Sequence, residues 1–391
     1  MHRLIAADTA PIRGHELIAS SSLVPPPADP VLFTSAGMHP LTRYLEGERH
    51  PLGQRLTGVQ RCLRTTDLAE VGDFSHLTVF QMLGSWSLGD YPGAQSLRWG
   101  IELIRDHFGL SPAQLYATVF GGDDQIGPDT ETAETWTELG LDVELLGPDD
   151  NWWSNGPTGP CGPDSEIFVW TGHGPPTGTP GTDSRWLELW NHVTMRYQRH
   201  PDGSLTPLRQ QSVDTGMGLE RLMMVSQGAA SVYETDAFAL WQSVLPGLWQ
   251  PRQREQRILT DHLRSAIVII GDGVRPSNTG RGYVLRRLLR RALTTLWSGD
   301  DGLSLTALPA DLVGDTFRRF GQSAGQPAVR EAVGVLQAEE RRFRELMRRG
   351  RLLLARLYPS GMLTEDDYEF LRDTHGLPRD LVAELAGELP G

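Results

Sequence analysis

The period of the apolar residues changes once along the chain, near Ala229. Before that point they come in short or alternating runs, "ELIASSSLV", "LTVFQMLGSWSLGDY", "LYATVF", "EIFVW" and "ELWNHVTMRYQR", separated by Gly and Pro. Alternation with turn punctuation specifies an antiparallel sheet with interspersed helices. "HPDGS" has the turn chemistry of a hairpin, and "TGHGPPTGTPGTDS" reads as a loop. After Ala229 the period is helical. "YVLRRLLRRALTTLW" sets Leu285, Leu288, Leu289, Ala292 and Leu296 on one face and Arg286, Arg287, Arg290 and Arg291 on the other, and "AVGVLQAEERRFRELMRRGRLLLARLY" repeats the scheme. The reading is an α+β protein: an antiparallel sheet flanked by helices over residues 1–230, followed by an all-helical domain over 231–391.

Charge follows the same division. The net charge is −13, yet 252–291 holds ten arginines against Glu255, Asp261 and Asp272, and 318–356 holds ten against Glu331, Glu339, Glu340 and Glu345. An even negative surface would argue against nucleic acid, whereas this distribution leaves the helical half open to it. No lysine occurs, so arginine makes every charged phosphate contact, a task its planar fork suits. Cys62 and Cys161 lie far apart, outside any Cys or Cys/His cluster, which excludes a disulfide framework and a structural zinc motif. No apolar run approaches the length of a membrane span, and Asp8 interrupts the best candidate for a secretory h-region. The expected location is the cytoplasm, with no membrane segment.

"SVDTGMGLERL", 212–222, is too polar for core and too ordered for a linker. Asp214 and Thr215 suit a helix start, Gly216 and Gly218 let a ligand approach the backbone, and Arg221 follows within a turn, which together make an anion-binding corner. Taken singly, such a string is more often a capped helix with a surface arginine. It gains meaning from its companions. "HELIASSSLVPPPADPVLFTSAGMHPL", "QRCLRTT", "LTVFQMLGSWSLGDY", "NWWSNGPTGPCGP", "ELWNHVTM", "SVDTGMGLERL", "DHLRSAIVIIGDGVRPSNTGRGYVLRRLLRRA" and "DTHGLPRDL" occur in the order of the successive blocks of the alanyl-tRNA synthetases, a class II aminoacyl-tRNA synthetase family that the chain resembles from about His15 to about Leu381.

The resemblance implies the class II antiparallel sheet and an ATP-dependent activation of alanine, with magnesium accompanying ATP, followed by transfer to tRNA. Arg64 then matches the arginine that bridges α-phosphate and substrate carboxylate, and Arg221 the arginine against the nucleotide; His76, Phe80 and Gly218 complete the ATP site. Asp214 matches the carboxylate that pairs with the amino group, and Trp153, Asn191, Val193 and Gly216 the walls of a small amino-acid pocket. Asn278 and Asp373 match the pair that reads the G·U pair of the acceptor stem, with Arg286, Arg287, Arg290 and Arg291 on the phosphates. A solvated charged face accounts for those four arginines equally well. The chemistry agrees: an ionised carboxylate attacks the α-phosphate, so the site has to position reactants and neutralise charge. No metal ligand is assigned.

Departures from the family pattern bear on the acceptor. The segment "TTDLAEV" after Arg64 is short and lacks the family's lysine and histidine; Leu77, Gln81, Pro157 and Asp164 stand where the pattern has histidine, glutamate, aspartate and cysteine. The chain also ends at Gly391, before the family's editing and C-terminal domains. One methyl group discriminates by only about 1 kcal/mol, so the expectation is an accessory enzyme of specialised metabolism. Two alternatives stand beside it: a ligase delivering a small amino acid to a carrier protein or small molecule, and a catalytically silent sensor of tRNA or amino acid.

Overall fold

A computed structural model describes residues 13–358, apart from 28, 30 and 155, and residues 363–387, apart from 376 and 378. The chain divides into two compact units. The first runs to Gly247 and includes Arg252–Asp261 and Arg319–Gln322; the second takes up Leu248–Pro251, His262–Arg318 and the residues from Ser323 on.

The first unit is built on a sheet with nine strands among the described residues: β1 Glu16–Ile18, β2 Arg55–Leu63, β3 Val79–Ser87, β4 Leu115–Phe120, β5 Asp142–Leu146, β6 Trp152–Ser154, β7 Gly159–Trp170, β8 Trp186–Arg199 and β9 Leu205–Gly218. Their order is β1-β2-β3-β9-β8-β7-β4-β5, with β6 beside β7. The centre is antiparallel, as the alternation implies. At the edges β1 pairs with β2 and β4 with β5 in parallel, so the sheet is mixed. Strands β8 and β9 form the expected hairpin: the His200 N–H donates to Ser204 O at 2.9 Å, and Gly203 takes a φ of +83° that a side chain would resist.

Alternation assigns the two faces. Leu83, Trp190 and Met217 point to one side, where helix α1 (Gly93–Asp106) contributes Leu97, Ile101 and Ile104 and helix α2 (Thr130–Glu138) contributes Trp136 to a continuous core. Met82, Trp86, Val193 and Met195 point to the other side, where Met38, Leu41 and Leu45 cover only part of the sheet. The remainder of that face is open. β9 leads into helix α3 (Leu219–Gln227), whose Leu222, Met223 and Met224 return to the first core.

In the second unit the apolar stripe of helix α4 (Gly280–Trp297) is buried as its period requires: Leu285, Leu288, Leu289, Ala292 and Leu296 are all interior. The 32-residue helix α5 (Gln326–Leu357) buries Leu336, Phe343, Met347 and Leu354 in the same way.

Candidate active site

The open face of the sheet holds a cavity of about 730 Å³, and the sequence-derived nucleotide and amino-acid residues all line it: Arg64, His76, Phe80, Trp153, Asn191, Val193, Asp214, Gly216, Gly218 and Arg221. They come from β3, β6, β8, β9, α3 and the connection between β2 and β3, spread over more than 150 positions, so the convergence is a product of the fold.

At one end, Arg64 follows β2. Its backbone N–H donates to Thr78 O at 3.0 Å, and Thr78 is itself held by Asp261, which accepts from the Thr78 N–H at 2.8 Å and from its hydroxyl at 2.5 Å. The Arg64 Nε donates to Ser35 O at 3.2 Å, and the guanidinium carbon sits 5.3 Å from the centroid of Phe80. Anchored by Nε, the guanidinium keeps its two Nη groups for a ligand. His76 is oriented by Asp73, with Nδ1 2.5 Å from Oδ2, and its carbonyl accepts from the Tyr233 hydroxyl at 2.9 Å. Arg221, in the first turn of α3, donates from Nη1 to the carbonyl and to the carboxylate of Glu188, both at 2.9 Å.

At the other end, neighbouring strands place their residues by register. Asp214 stands opposite Trp86 on one side and Val193 on the other, and Gly216 stands between Gly84 and Asn191. Asp214 Oδ1 accepts from the Trp86 indole N–H at 2.7 Å. Burial pushes its carboxyl up to about 7, partly opposed by that bond. Gly216 has a packing reason: a Cβ there would lie 2.7 Å from the Met82 sulfur. Asn191 Nδ2 donates to Asp164 Oδ2 at 3.2 Å and to Glu166 Oε1 at 3.3 Å. Asp164 is pushed up to about 7 and Glu166 well above the usual carboxylate range, in both cases chiefly by burial, with the neighbouring Glu188 adding to it.

Thr215 corrects one expectation. It is not at a helix start but inside β9, with its hydroxyl accepting from the Ser85 N–H at 3.1 Å; the helix begins at Leu219. Asp214 is therefore a strand residue aimed at the cavity, not a cap. Sequence reasoning missed Glu188, which holds Arg221, as well as Trp86 and Asp261. Glu188 lies in the same block as Asn191, a signal that was available; the Trp86 and Asp261 bonds span 128 and 183 positions and leave no local trace.

The lining carries Asp150, Asp164, Glu166, Glu188, Asp214 and Glu220 against Arg64 and Arg221. An acid-rich pocket that also holds two arginines suits a ligand carrying both cationic and anionic groups. Among the described residues no group of three or more His, Cys, Asp and Glu is arranged to hold a metal ion.

The chain belongs to the class II (A) tRNA synthetases, whose family pattern it matches over residues 11–389. It is 41% identical to the alanine–tRNA ligase of Treponema pallidum over 406 residues, covering 96% of this chain and 66% of that one. It is 46% identical to that of Treponema denticola over 300 residues, covering 72% and 50%, and 39% identical to that of Borrelia hermsii over 400 residues, covering 96% and 67%. The chain thus spans half to two thirds of the length of these relatives.

In the second unit Asn278 and Asp373 are exposed, Asp373 paired with Arg372 at 2.7 Å. The four arginines of α4 do not form one free face. Arg286 reaches Glu339 at 2.9 Å and Arg290 reaches it at 3.7 Å, and Glu339 is 1% exposed on α5. Arg286 also donates to Asn278 Oδ1. Arg291 is half-buried, and Arg287 alone of the four is exposed. Two of the four candidates for phosphate contact thus serve an interior ion pair.

Proposed function

We propose that this chain condenses alanine with ATP to alanyl-adenylate, releasing pyrophosphate, and transfers the alanyl group to the 3′ end of a tRNA whose acceptor stem carries a G·U pair. The observation that carries the reading is the convergence of Arg64, Asp214 and Arg221 on one cavity together with Phe80. In this reading adenine stacks on Phe80, and the free Nη groups of Arg64 bridge the α-phosphate and the alanine carboxylate. Asp214 takes the ammonium, whose arrival returns its carboxyl to the ionised form. Arg221 exchanges part of its bond to Glu188 for the nucleotide. Two anions are thereby brought within reach of each other, and a carboxylate oxygen displaces pyrophosphate without a general base.

Magnesium arriving with ATP would neutralise charge on the phosphates, and the carboxylates lining the cavity, Asp150, Glu188 and Glu220 among them, would be the oxygen acceptors open to its water shell without an all-protein cage. In the second unit, the phosphate contacts of the tRNA rest on Arg287, with Asn278 and Asp373 at the base-pair edge. The cytoplasm, where ATP and tRNA are found, fits this reading.

A second reading, delivery to a carrier protein or small molecule within specialised metabolism, is favoured by the short segment Thr65–Val71 after Arg64. One experiment separates them. Pyrophosphate exchange with alanine, glycine and serine is expected to respond most strongly to alanine, and subsequent charging is expected to require tRNA with the G·U pair. Exchange without charging supports the second reading; no amino-acid-dependent exchange overturns both.

A further inference from the structure

We propose that Trp86 is a positioning residue of the amino-acid end of the cavity: its indole N–H holds one oxygen of Asp214 and so leaves the other for the ammonium group of the substrate. This role rests on the reading of the cavity as the place where alanine meets ATP, and it falls to a residue that does not itself line the cavity.

Two neighbouring rungs of the open face set up the contact. In one, Leu56, Trp86, Asp214 and Val193 stand side by side on β2, β3, β9 and β8; in the next, the same strands carry Gly58, Gly84, Gly216 and Asn191. Without side chains the three glycines form a trough. The Met82 sulfur lies over Gly216, and the Trp86 ring lies over the other two: a Cβ on Gly84 would run into its six-membered ring, and one on Gly58 would touch Cζ3 at 3.7 Å. Gly37, from the segment that covers this part of the face, also abuts the ring, since a Cβ there would come within 3.0 Å of Cζ2. Held in this way, the indole is 1% exposed, and its N–H reaches Asp214 Oδ1 at 2.7 Å.

The chemistry of this donor suits the task. An indole N–H is uncharged and only donates. It fixes the carboxylate without cancelling the charge that an ammonium needs, whereas a guanidinium would occupy both oxygens and neutralise them. A buried indole N–H also needs a partner as much as the carboxylate does, so turning the carboxyl group about its Cβ–Cγ bond would leave a donor unpaired indoors.

The second oxygen of Asp214 is the one left over. Among the described residues no donor other than Trp86 reaches the carboxyl group, and Oδ2 is not closed off from solvent. Asp214 lines the cavity, so an ammonium arriving there finds an acceptor that is already oriented and carries no competing bond.

The test is calorimetric titration of the full chain with two unreactive adenylate analogues: alanyl-sulfamoyl-adenosine, which carries the ammonium, and propionyl-sulfamoyl-adenosine, which lacks it and is otherwise the same. Trp86→Phe keeps an aromatic ring over the glycines and removes the N–H. It is expected to weaken the alanyl analogue about tenfold, the effect of losing one hydrogen bond to a charged group, and the propionyl analogue less than about twofold. In pyrophosphate exchange the same variant is expected to raise the KM for alanine about tenfold, with kcat and the KM for ATP within about twofold of wild type. Gly37→Ala keeps the donor but presses on its ring, so it is expected to weaken the alanyl analogue alone, by about threefold as the bond is drawn out of line. That variant decides the matter should Trp86→Phe not fold. Equal losses for the two analogues would show that Trp86 acts through packing alone and would overturn the proposal, as would no loss for either. Equal binding of both analogues by wild type would overturn it while leaving the nucleotide site standing. Should wild type prefer the alanyl analogue yet be silent in exchange, the function reading fails and the calorimetric comparison still decides the role of Trp86. Binding of neither analogue overturns both.

Discussion

Asp214 carries a stability cost that its proposed role as partner of the substrate ammonium would account for. It is 6% exposed with a single neutral donor, Trp86, and its carboxyl rises to about 7 from an unfolded value of 3.8. Between those values the folded chain holds a proton that the unfolded chain releases, so stability falls as pH rises through this window and the penalty is complete above it. A shift of this size corresponds to on the order of a few kcal/mol. Asp214→Asn keeps an acceptor for Trp86 and removes the ionisation. The variant is expected to melt several degrees above wild type at pH 8 and close to it at pH 4, with a KM for alanine raised about 100-fold because the ammonium loses its counter-charge. Differential scanning calorimetry at the two pH values checks the first part; an increment that is the same at both would refute it.

Among the elements, α4 and α5 illustrate how much of a helix is legible from its period. The stripe Leu285, Leu288, Leu289, Ala292 and Leu296 is interior because a helix with that spacing has one face to bury. The opposite face was not legible in full. Arg286 and Arg290 read as solvent-facing, yet they meet Glu339 on α5, because a second helix with its own buried acid reaches them. Removing one member of such a pair leaves uncompensated charge indoors, so Glu339→Ala is expected to destabilise the protein by about 3 kcal/mol in urea unfolding. Arg287→Ala is expected to leave stability unchanged, to weaken tRNA binding across sequences, and to reduce the salt slope of log K by about 1. A tRNA affinity unaltered by that change would remove α4 from the interface. In the sheet, alternation made β3, β4 and β8 legible, whereas the parallel pairing of β1 with β2 and β4 with β5 was not, since strand direction at an edge is set by long connections. Thr215 failed for a local reason: Asp-Thr-Gly has helix-start chemistry, but the ladder from β3 to β8 holds it as strand.

For the whole molecule, the distribution of charge matters more than its sum. The first unit encloses a pocket lined by six acids and two arginines, and the arginine-rich segments fall mainly in the second. Exchange of pyrophosphate, a small-molecule reaction in a partly enclosed cavity, is therefore expected to change little between 50 and 200 mM salt, while tRNA affinity falls steeply over the same range. Equal salt sensitivity of the two would contradict a tRNA contact built on arginine. Among the described residues no helix is long and apolar enough to cross a membrane. The residues carried by block order were legible because each block keeps its local string. Their partners were not, because Trp86, Glu188 and Asp261 matter only through bonds made across strands and between distant segments.

The two rungs in which Asn191 faces Gly216 and Val193 faces Asp214 belong to a single hairpin. Under the proposed function, choice of amino acid is written into the register of that backbone ladder, so new selectivity on this scaffold would arise by exchanging side chains rung by rung.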